Sequence, residues 1–571
     1  MVSETDLYIF ESASKKEKDT LIIDEILNNI SQEEYINVEK DLLSSNIGSD
    51  MSFPLFDSLW KYIICSHNNG LIEKILIYEQ LKSEILKVDP GVVHIKVRKK
   101  AYRQVVYDLE DEFECDFIYH NKNSNNSTHS QLIHFPFRIS EVAKFLISLL
   151  DQIFGIFINN NLKNNQETNE YESIVFPYPG RDDSVRPIVD EMTSNVLVVV
   201  DPRSSLPNST GYTYSGDWDN HNVRTFNSFA SIPIILAQLR IFTYLIKEAT
   251  ITKSLEQEIT EYIAKSRDNH LQYTVQYVIQ ESFKGRLFDF KRATISEYIF
   301  KECSNAERVV TGSNGSMYRL IRYFARKADI DNYYIPHTIT NPIERNHPPH
   351  NETAMVVSGD FDRDIMVEYF PSITLPTLVP LGRPYFEKLQ NDEIPSLTTN
   401  GLKVMIATQK VEEIRDEFVI DILSSLSERQ DIEKIIIKIH PAETKSHYSE
   451  LFSTMELNMT DKISIHEYNL TKHIVSSDVI FTINSNVGIE SMILGVPSVS
   501  YNKWEPRFPS MPYTTKGPGI LLTNQDELQK FINKMDEKQL EDLSNNMTKF
   551  AKENYEPDIN AANKIAKFVE S

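Results

Sequence analysis

Residues Ser477–Tyr501 read SDVIFTINSNVGIESMILGVPSVSY. The stretch opens with a short β-branched run, Val479–Ile483, continues through three polar residues into a helical pattern, Val487–Leu494, and closes on a second β-branched run, Ser498–Tyr501. A strand, a helix and a second strand in so few residues form a βαβ unit, whose strands lie parallel in one sheet. This stretch therefore predicts a Rossmann-like sheet in the C-terminal part of the chain.

The same alternation of short apolar runs and helical patterns extends outward through most of the chain. Helical spacing is clearest in 101–114, 317–327, 416–427 and 487–494. The predicted strands are Leu7–Phe10, Val92–Val97, Phe117–His120, Ile174–Pro177, Val196–Asp201, Arg308–Thr311, Tyr333–His337, Met355–Ser358, Leu378–Leu381, Lys403–Ala407, Lys434–Ile439, Ile463–His466, Val479–Ile483, Ser498–Tyr501 and Gly519–Leu522.

The predicted fold class is α/β, with two Rossmann-like parallel-sheet domains facing a cleft. At 571 residues the chain is too long for one core. We expect an N-terminal α/β portion over residues 1–170 and two Rossmann-like domains over 171–395 and 396–571. Polar, asparagine-rich runs at 121–130 and 159–170 interrupt the first portion, and residues 391–400 are the expected linker before the last domain.

The composition excludes several classes of protein. A formal net charge of −23 argues against a nucleic-acid partner, because such a protein needs a basic face. The three cysteines, Cys65, Cys115 and Cys303, have neither the spacing of a metal site nor that of a disulfide framework. No signal peptide or transmembrane run is recognisable, so we expect a cytoplasmic protein.

The most apolar segment, residues 134–158, reads HFPFRISEVAKFLISLLDQIFGIFI. Four charged residues interrupt it, so its uninterrupted apolar runs are too short to span a bilayer. We expect a helical insert packed on the N-terminal sheet. The alternative is an interfacial helix that makes peripheral contact with the inner face of the membrane.

Polar side chains follow three strands of the predicted C-terminal sheet. Ligands of doubly wound sheets bind at the carboxyl ends of the strands, so these side chains are candidates for ligand binding. His440, locked by the following proline, can donate to a phosphate oxygen; an ordinary loop histidine is the alternative. The candidates at the first two strand ends are Thr408, Gln409, Lys410, His440, Pro441 and Glu443.

The third strand end carries Asn484, Ser485 and Asn486 ahead of a helix. Ser485 or Asn486 is a natural N-cap, and the helix start offers free N–H groups to a phosphate. Gly488 would let a ligand approach the backbone closely. Glu490, one turn into an otherwise apolar helix, can accept from two vicinal hydroxyls of a ribose. A simple capped helix would explain the serine but not this carboxylate.

The 477–501 stretch resembles the donor-binding segment of GT-B glycosyltransferases, and His440-Pro441 with Ser485 is similar to the HP and serine motifs of bacterial sialyltransferases and Kdo transferases. Residues 359–386, with Gly-Asp-Phe-Asp-Arg-Asp and Gly-Arg-Pro, resemble surface-polysaccharide biosynthesis proteins. The resemblance covers about residues 306–501. It implies a GT-B enzyme that moves a sugar from a CMP- or UDP-linked donor to a glycan or lipid-linked acceptor, without a cofactor.

In such an enzyme the donor lies on one Rossmann-like domain, here the one over residues 396–571. The acceptor lies on the other, over residues 171–395, and that acceptor-side domain supplies a general base. Asp182 and Asp183 follow a predicted strand and resemble the acidic pair of sialyltransferases, without its following glycine; capping the next helix is the alternative. His337 is a further candidate, at the place where related enzymes carry Gln-His-Gly. We expect Arg181, Gly312 and Ser313 to contact the acceptor.

Other interpretations stay open from the residues alone. The Asp-Trp-Asp sequence at 217–219 has the spacing of a metal site, but a GT-B enzyme needs no metal, so we interpret it as a polar loop. The alternative functions are a CDP-linked polyol-phosphate transferase, a nucleotide-sugar 2-epimerase and a non-catalytic scaffold of a glycan-assembly complex.

Overall fold

The computed structural model describes residues 6–10, 20–22, 71–119, 170–200, 218–229, 249–278, 295–339, 352–390, 401–453 and 460–571, with short gaps inside several ranges and isolated residues outside them. Three parallel sheets organise this part of the chain.

The first sheet has four strands in the order β2-β1-β3-β4. Its strands are β1 (Asp6–Phe10), β2 (Thr20–Ile22), β3 (Val92–Lys96) and β4 (Asp116–Tyr119). Two helices connect them, α1 (Leu71–Val88) and α2 (Lys100–Glu112). This is the N-terminal α/β unit that the sequence predicts.

The middle sheet has seven strands in the order β11-β10-β9-β8-β5-β6-β7. Its strands are β5 (Ser173–Phe176), β6 (Val196–Val200), β7 (Asn222–Thr225), β8 (Arg308–Thr311), β9 (Asp331–Tyr334), β10 (Ala354–Val357) and β11 (Thr377–Pro380). The helices of this segment are α3 (Arg186–Glu191), α4 (Ala249–Arg267), α5 (Ser316–Lys327), α6 (Asp360–Tyr369) and α7 (Pro384–Gln390), with further helical stretches at 272–278 and 295–302.

The C-terminal sheet has six strands in the order β14-β13-β12-β15-β16-β17. Its strands are β12 (Leu402–Ala407), β13 (Ile432–Lys438), β14 (Ile463–His466), β15 (Val479–Thr482), β16 (Ser498–Tyr501) and β17 (Ile520–Leu522). Its helices are α8 (Arg415–Leu426), α9 (Lys445–Ser453), α10 (Leu470–Val475), α11 (Val487–Ile493), α12 (Pro512–Thr515), α13 (Gln525–Lys534), α14 (Glu537–Asn554) and α15 (Ala561–Glu570).

The middle and C-terminal sheets are buried on both faces. In β5, Ile174 and Phe176 enter one core while Val175 enters another, because successive side chains of a strand point to opposite faces. Strands buried in this way are continuous apolar runs, and this is why the sequence reveals them.

Two helices cross between the sheets. Helix α7 follows the middle sheet in the chain, yet its Phe386 and Leu389 pack in one core with Ile489 and Met492 of α11. Helix α15 is last in the chain, yet its Ile565 packs in the core of the middle sheet. The two Rossmann-like units are therefore joined by an exchange of helices.

The predicted α/β class with two Rossmann-like parallel sheets is confirmed. Every predicted strand is present, with ends displaced by at most three residues. The sequence misses the short strands β2 and β7. The division at residues 170 and 395 stays a prediction.

Two predicted segments lie largely outside the described residues. The linker at 391–400 is one of them. Of the insert at 134–158, only Leu149 and Leu150 are described, in helical conformation, with Leu149 buried and Leu150 exposed. Among the described helices, none is long and apolar enough to cross a membrane.

Candidate functional site

The topology of the C-terminal sheet locates a crevice between β12 and β15. From β12 the chain proceeds outward to β13 and β14, and then returns to place β15 on the other side of β12. Ligands of doubly wound sheets bind at the carboxyl ends of the strands where the order reverses. Residues Thr408–Lys410 and Ile483–Asn486 follow these two strands, so two of the three predicted strand ends meet at this point.

Gln409 ties these strand ends together. Its Nε2 donates to the carbonyl oxygen of Asn484 over 2.9 Å, and the Asn484 backbone N–H donates to its Oε1 over 3.3 Å. The Asn484 side chain in turn donates to the carbonyl oxygen of Pro509. Both amides therefore position the loops, whereas Lys410 next to them is exposed.

Glu443 fixes the loop after β13 through hydrogen bonds. Its side chain is 1% exposed, and its Oε2 accepts from the Thr408 hydroxyl and from the backbone N–H of His440. Tyr448 donates to the other oxygen over 3.1 Å. Predicted as a donor ligand, Glu443 instead holds the loop, while His440 and the neighbouring Pro441 are exposed on top of it.

The start of α11 differs in detail from the prediction. The N-cap is Asn486, but its side chain makes no capping bond; Ser485 Oγ instead accepts from the N–H of Val487 over 3.3 Å. A Cβ on Gly488 would lie 2.1 Å from the hydroxyl oxygen of Tyr513. The Tyr513 ring therefore occupies the space on this side of Gly488, and the close approach of a ligand to the Gly488 backbone stays a prediction.

Glu490 lies in the first turn of α11 and is 9% exposed. The hydroxyl of Tyr385, on α7, donates to its Oε2 over 3.2 Å. Burial, and then the nearby Glu490 carboxylate, raise the pKa of Tyr513. The predicted ribose-binding carboxylate of Glu490 is thus buried close to two tyrosines, Tyr385 and Tyr513.

Lys438 is a buried cation that the sequence analysis missed. It ends β13 at 7% exposure, and its ammonium donates to the carbonyl oxygens of Ile439 and Glu467, each over 2.9 Å. Burial lowers its pKa, which the Glu467, Glu443 and Glu490 carboxylates counteract. A lysine directly after three isoleucines was the available signal.

A pair of histidines lies beside this lysine. His466 ends β14 and its ring contacts that of His473 on α10, with centroids 4.1 Å apart. Burial, then the neighbouring His466 and Lys438, lower the pKa of His473 to about 4. Burial and nearby lysines likewise lower the pKa of His466, so both rings are neutral near pH 7.

The middle sheet has its own reversal, between β5 and β8. The predicted acceptor residues Gly312 and Ser313 follow β8, and His337 lies three residues beyond the end of β9. His337 Nδ1 is 3.1 Å from the carbonyl oxygen of Gly312, and its ring stacks flat on Tyr178, with centroids 4.3 Å apart. These residues therefore meet at one crevice. Arg181, Asp182 and Asp183 lie outside the described residues.

Arg322 of α5 supports the loop after β8. Its guanidinium donates to the Thr311 hydroxyl, to the carbonyl oxygen of Ser313 and to the Asn314 amide oxygen. Its Nε pairs with Glu352 over 2.6 Å, and both side chains are almost fully buried. The sequence offered little signal for this support, because Arg322 is one of three arginines in the twelve-residue helix α5.

The segment around residues 359–384 forms a junction between the sheets. A Cβ on Gly359 would lie 1.6 Å from the Asn554 carbonyl oxygen, and the Tyr555 hydroxyl donates to the buried carboxylate of Asp362 over 3.2 Å. Gly382 turns the chain at φ 81°, a conformation that favours glycine. The motifs that carry the family resemblance thus lie where helix α14 meets the middle segment.

The described residues hold no cluster of three or more His, Cys, Asp or Glu side chains suited to a metal. Asp217 and Asp219 are outside them, whereas Trp218 between the two is 2% exposed and packs in the middle core. Trp504 donates from its indole N–H to Glu417. Both tryptophans therefore have packing contacts.

Several solved structures match the chain at low sequence identity and low TM-score. A UDP-GlcNAc 2-epimerase from Neisseria meningitidis bound to UDP-GlcNAc is 12% identical, with 70% of this chain and 98% of that chain covered, at a TM-score of 0.39. The wall teichoic acid polymerase TagF is 11% identical over 83% and 98%, at 0.37. MnaA of S. aureus, in complex with UDP, is 11% identical over 70% and 96%, at 0.41.

No curated protein matches the chain significantly. Residues 409–549, less than half of the chain, match the family described as "Capsule polysaccharide biosynthesis protein". This range begins at Gln409 and contains His440, Ser485 and Glu490. The predicted resemblance to capsule and surface-polysaccharide biosynthesis proteins is therefore confirmed in the segment that forms the crevice of the C-terminal sheet.

Proposed function

We propose that the protein is a GT-B glycosyltransferase of surface-polysaccharide or glycoconjugate biosynthesis. It would move a sugar from a CMP- or UDP-linked donor to a glycan or lipid-linked acceptor. The observation that carries the proposal is the crevice at β12 and β15, with His440 exposed at its side and Glu490 in the first turn of α11. This crevice lies within the segment that matches the capsule biosynthesis family.

The donor would lie along the C-terminal crevice. Glu490 would accept from the vicinal hydroxyls of the ribose, and Ser485 with the backbone N–H groups of its loop would bind the phosphate. His440 would donate to the leaving phosphate, since its backbone is held by Glu443 while its side chain is exposed. Lys410, also exposed, would add a positive charge.

The acceptor would lie at the middle crevice, near Arg181, Gly312 and Ser313. Its hydroxyl oxygen would form a bond to the anomeric carbon as the bond to the phosphate oxygen breaks, and the nucleotide would leave with that electron pair. The proton of the hydroxyl would pass to a base. This single displacement inverts the anomeric centre and requires no metal.

The base would be Asp182, Asp183 or His337. Of the three, His337 is the one whose contacts are known, and they suit a base. If its Nδ1–H donates a hydrogen bond to the Gly312 carbonyl oxygen, Nε2 is the unprotonated, basic nitrogen. Alanine and asparagine variants at the three positions would identify it: the base variant should lose about two to four orders of magnitude in kcat and keep its donor affinity.

A thermal-shift screen with CMP, CDP, UDP and GDP tests the proposal. At least one nucleotide should raise the Tm of the wild type, and His440→Ala and Glu490→Ala should abolish that rise, with or without EDTA. A response to none of the four, or a response that both variants keep, would contradict the proposal.

The alternatives predict different products. A 2-epimerase converts its nucleotide-sugar into the C2 epimer without an acceptor, a polyol-phosphate transferase responds to CDP and transfers a polyol phosphate, and a scaffold tolerates both alanine substitutions. No described contact favours any of these. Flotation with anionic vesicles, with and without residues 134–158, tests the further proposal of peripheral membrane contact at the cytoplasmic face.

A further inference from the structure

We propose that Tyr385, on helix α7, is a positioning residue for the donor ribose. Its hydroxyl holds the carboxylate of Glu490, which lies on helix α11. The inference rests on the proposed function. It assigns a role to the Gly-Arg-Pro-Tyr-Phe sequence at 382–386, which the donor and acceptor residues do not account for.

The contact joins a half-buried tyrosine to a buried acid. The Tyr385 hydroxyl donates to Glu490 Oε2 over 3.2 Å, and Glu490 is 9% exposed. Tyr385 belongs to α7, which precedes the whole C-terminal sheet in the chain, whereas Glu490 belongs to α11. A buried carboxylate requires donors, and one of them therefore comes from outside the matched segment 409–549.

The backbone that carries Tyr385 is held on both sides. Gly382 makes a left-handed turn at φ 81°, and Pro384 begins α7 with a fixed φ. Arg383 is 8% exposed, and its guanidinium lies 5.5 Å from the centre of the Phe386 ring. Phe386 packs with Ile489, the neighbour of Glu490. The position of the tyrosine hydroxyl is therefore determined by packing.

The chemistry of a carboxylate explains what this contact does. Its two oxygens offer about four acceptor positions, so one carboxylate can accept both from a tyrosine and from ribose hydroxyls. Holding the carboxylate in one rotamer before the ligand arrives reduces the entropy lost on binding. Tyr385 would then affect affinity for the ribose hydroxyls specifically.

Isothermal titration tests this with CMP and UDP and with their 2′,3′-dideoxy analogues. Tyr385→Phe should raise the Kd of CMP or UDP by about threefold to tenfold, the effect of one lost hydrogen bond. For the dideoxy analogue the wild type and Tyr385→Phe should agree within about twofold, because the hydroxyls that Glu490 would contact are absent.

Tyr555→Phe is the matched control. It removes a tyrosine hydroxyl that also donates to a carboxylate over 3.2 Å at the same junction, that of Asp362, which is not part of the crevice. Its Kd values should remain within about twofold of the wild type. Tm values without nucleotide establish that both variants fold.

The outcomes separate this inference from the proposed function. If the wild type binds neither CMP nor UDP, or if Glu490→Gln binds them equally well, the ribose site itself is wrong and the inference falls with it. If Glu490→Gln weakens binding but Tyr385→Phe does not, only the inference is overturned. Equal weakening for ribose and dideoxy ligands also overturns it.

Discussion

Glu443 illustrates how a buried charge supports exposed chemistry. Its carboxylate accepts from Thr408, from the His440 backbone and from Tyr448, and Arg415 Nη1 lies 3.7 Å from Oε1. A carboxylate with this many partners recovers the cost of leaving water. The loop that carries His440 is therefore held from beneath by one acid.

Glu443→Gln should destabilise the C-terminal unit by about 1–3 kcal/mol, because an amide NH2 cannot accept and leaves one set of donors unmatched. Urea unfolding of the wild type and variant would measure this. Glu541→Gln, at an exposed site on α14, is the control and should change little. Equal stability of Glu443→Gln and wild type would show that the network contributes nothing.

The His466–His473 pair predicts a pH dependence of stability. The pKa of His473 is lowered to about 4 by burial, by His466 and by Lys438, from the usual 6.5. Because the unfolded chain takes up the proton first, this contribution is complete above about pH 6.5 and is lost as the pH falls toward 4.

Urea midpoints between pH 7.5 and 5 measure this dependence. The wild type should lose stability over that range, and His473→Gln should lose less, since glutamine does not titrate. His94→Gln, in β3, controls for removal of a histidine elsewhere. A His473→Gln profile as steep as that of the wild type would contradict the assignment.

At the scale of elements, strand position follows from local sequence because both faces of the two large sheets are buried. Runs such as 435–437 and 479–481 are apolar throughout. The strands β2 and β7 escaped prediction for a physical reason. Each is a short strand at the edge of its sheet, and β7 reads Asn-Val-Arg-Thr, with little to bury.

The site was predictable as a set of strand ends but not as a set of contacts. A side chain at the end of a strand can face a ligand or brace the next loop, and sequence does not distinguish them. Gln409 braces Asn484, and Gly488 accommodates Tyr513, a residue 25 positions away. The role of Tyr385 could not be predicted, because its partner Glu490 lies 105 residues further along the chain.

The junction of α6 with the end of α14 yields a prediction about Gly359. An added Cβ would lie 1.6 Å from the backbone oxygen of Asn554, and a helix end cannot yield as a flexible side chain can. Gly359→Ala should therefore cost about 1–3 kcal/mol or more, a Tm decrease of several degrees. Differential scanning fluorimetry would measure it.

Gly315→Ala is the control for this prediction. Its added Cβ would meet its nearest neighbours at 3.6 and 3.8 Å, which is ordinary contact. The Tm of Gly315→Ala should stay close to that of the wild type. If both alanine variants melt together with the wild type, the close approach at Gly359 does not limit stability.

At the scale of the molecule, the exchange of helices makes each large unit depend on a distant part of the chain. Glu387 of α7 accepts from the backbone N–H groups of Asn560 and Ala561 at the start of α15. Glu570, at the other end of α15, accepts from Thr193 and Ser194 beside the middle sheet. Helix α15 is therefore anchored at both ends to segments that precede the C-terminal sheet.

This arrangement predicts where a substitution near the C-terminus is felt. Ile565 is fully buried in the core of the middle sheet, and Ile565→Ala should cost about 2–5 kcal/mol. Hydrogen exchange followed by mass spectrometry should show faster exchange in β5 and β6, while β12 and β15 keep their protection. Ile532→Ala, at an equally buried site of α13 in the C-terminal core, should give the reverse pattern. Faster exchange of the C-terminal sheet in Ile565→Ala would mean that α15 belongs energetically to the unit that precedes it in the chain.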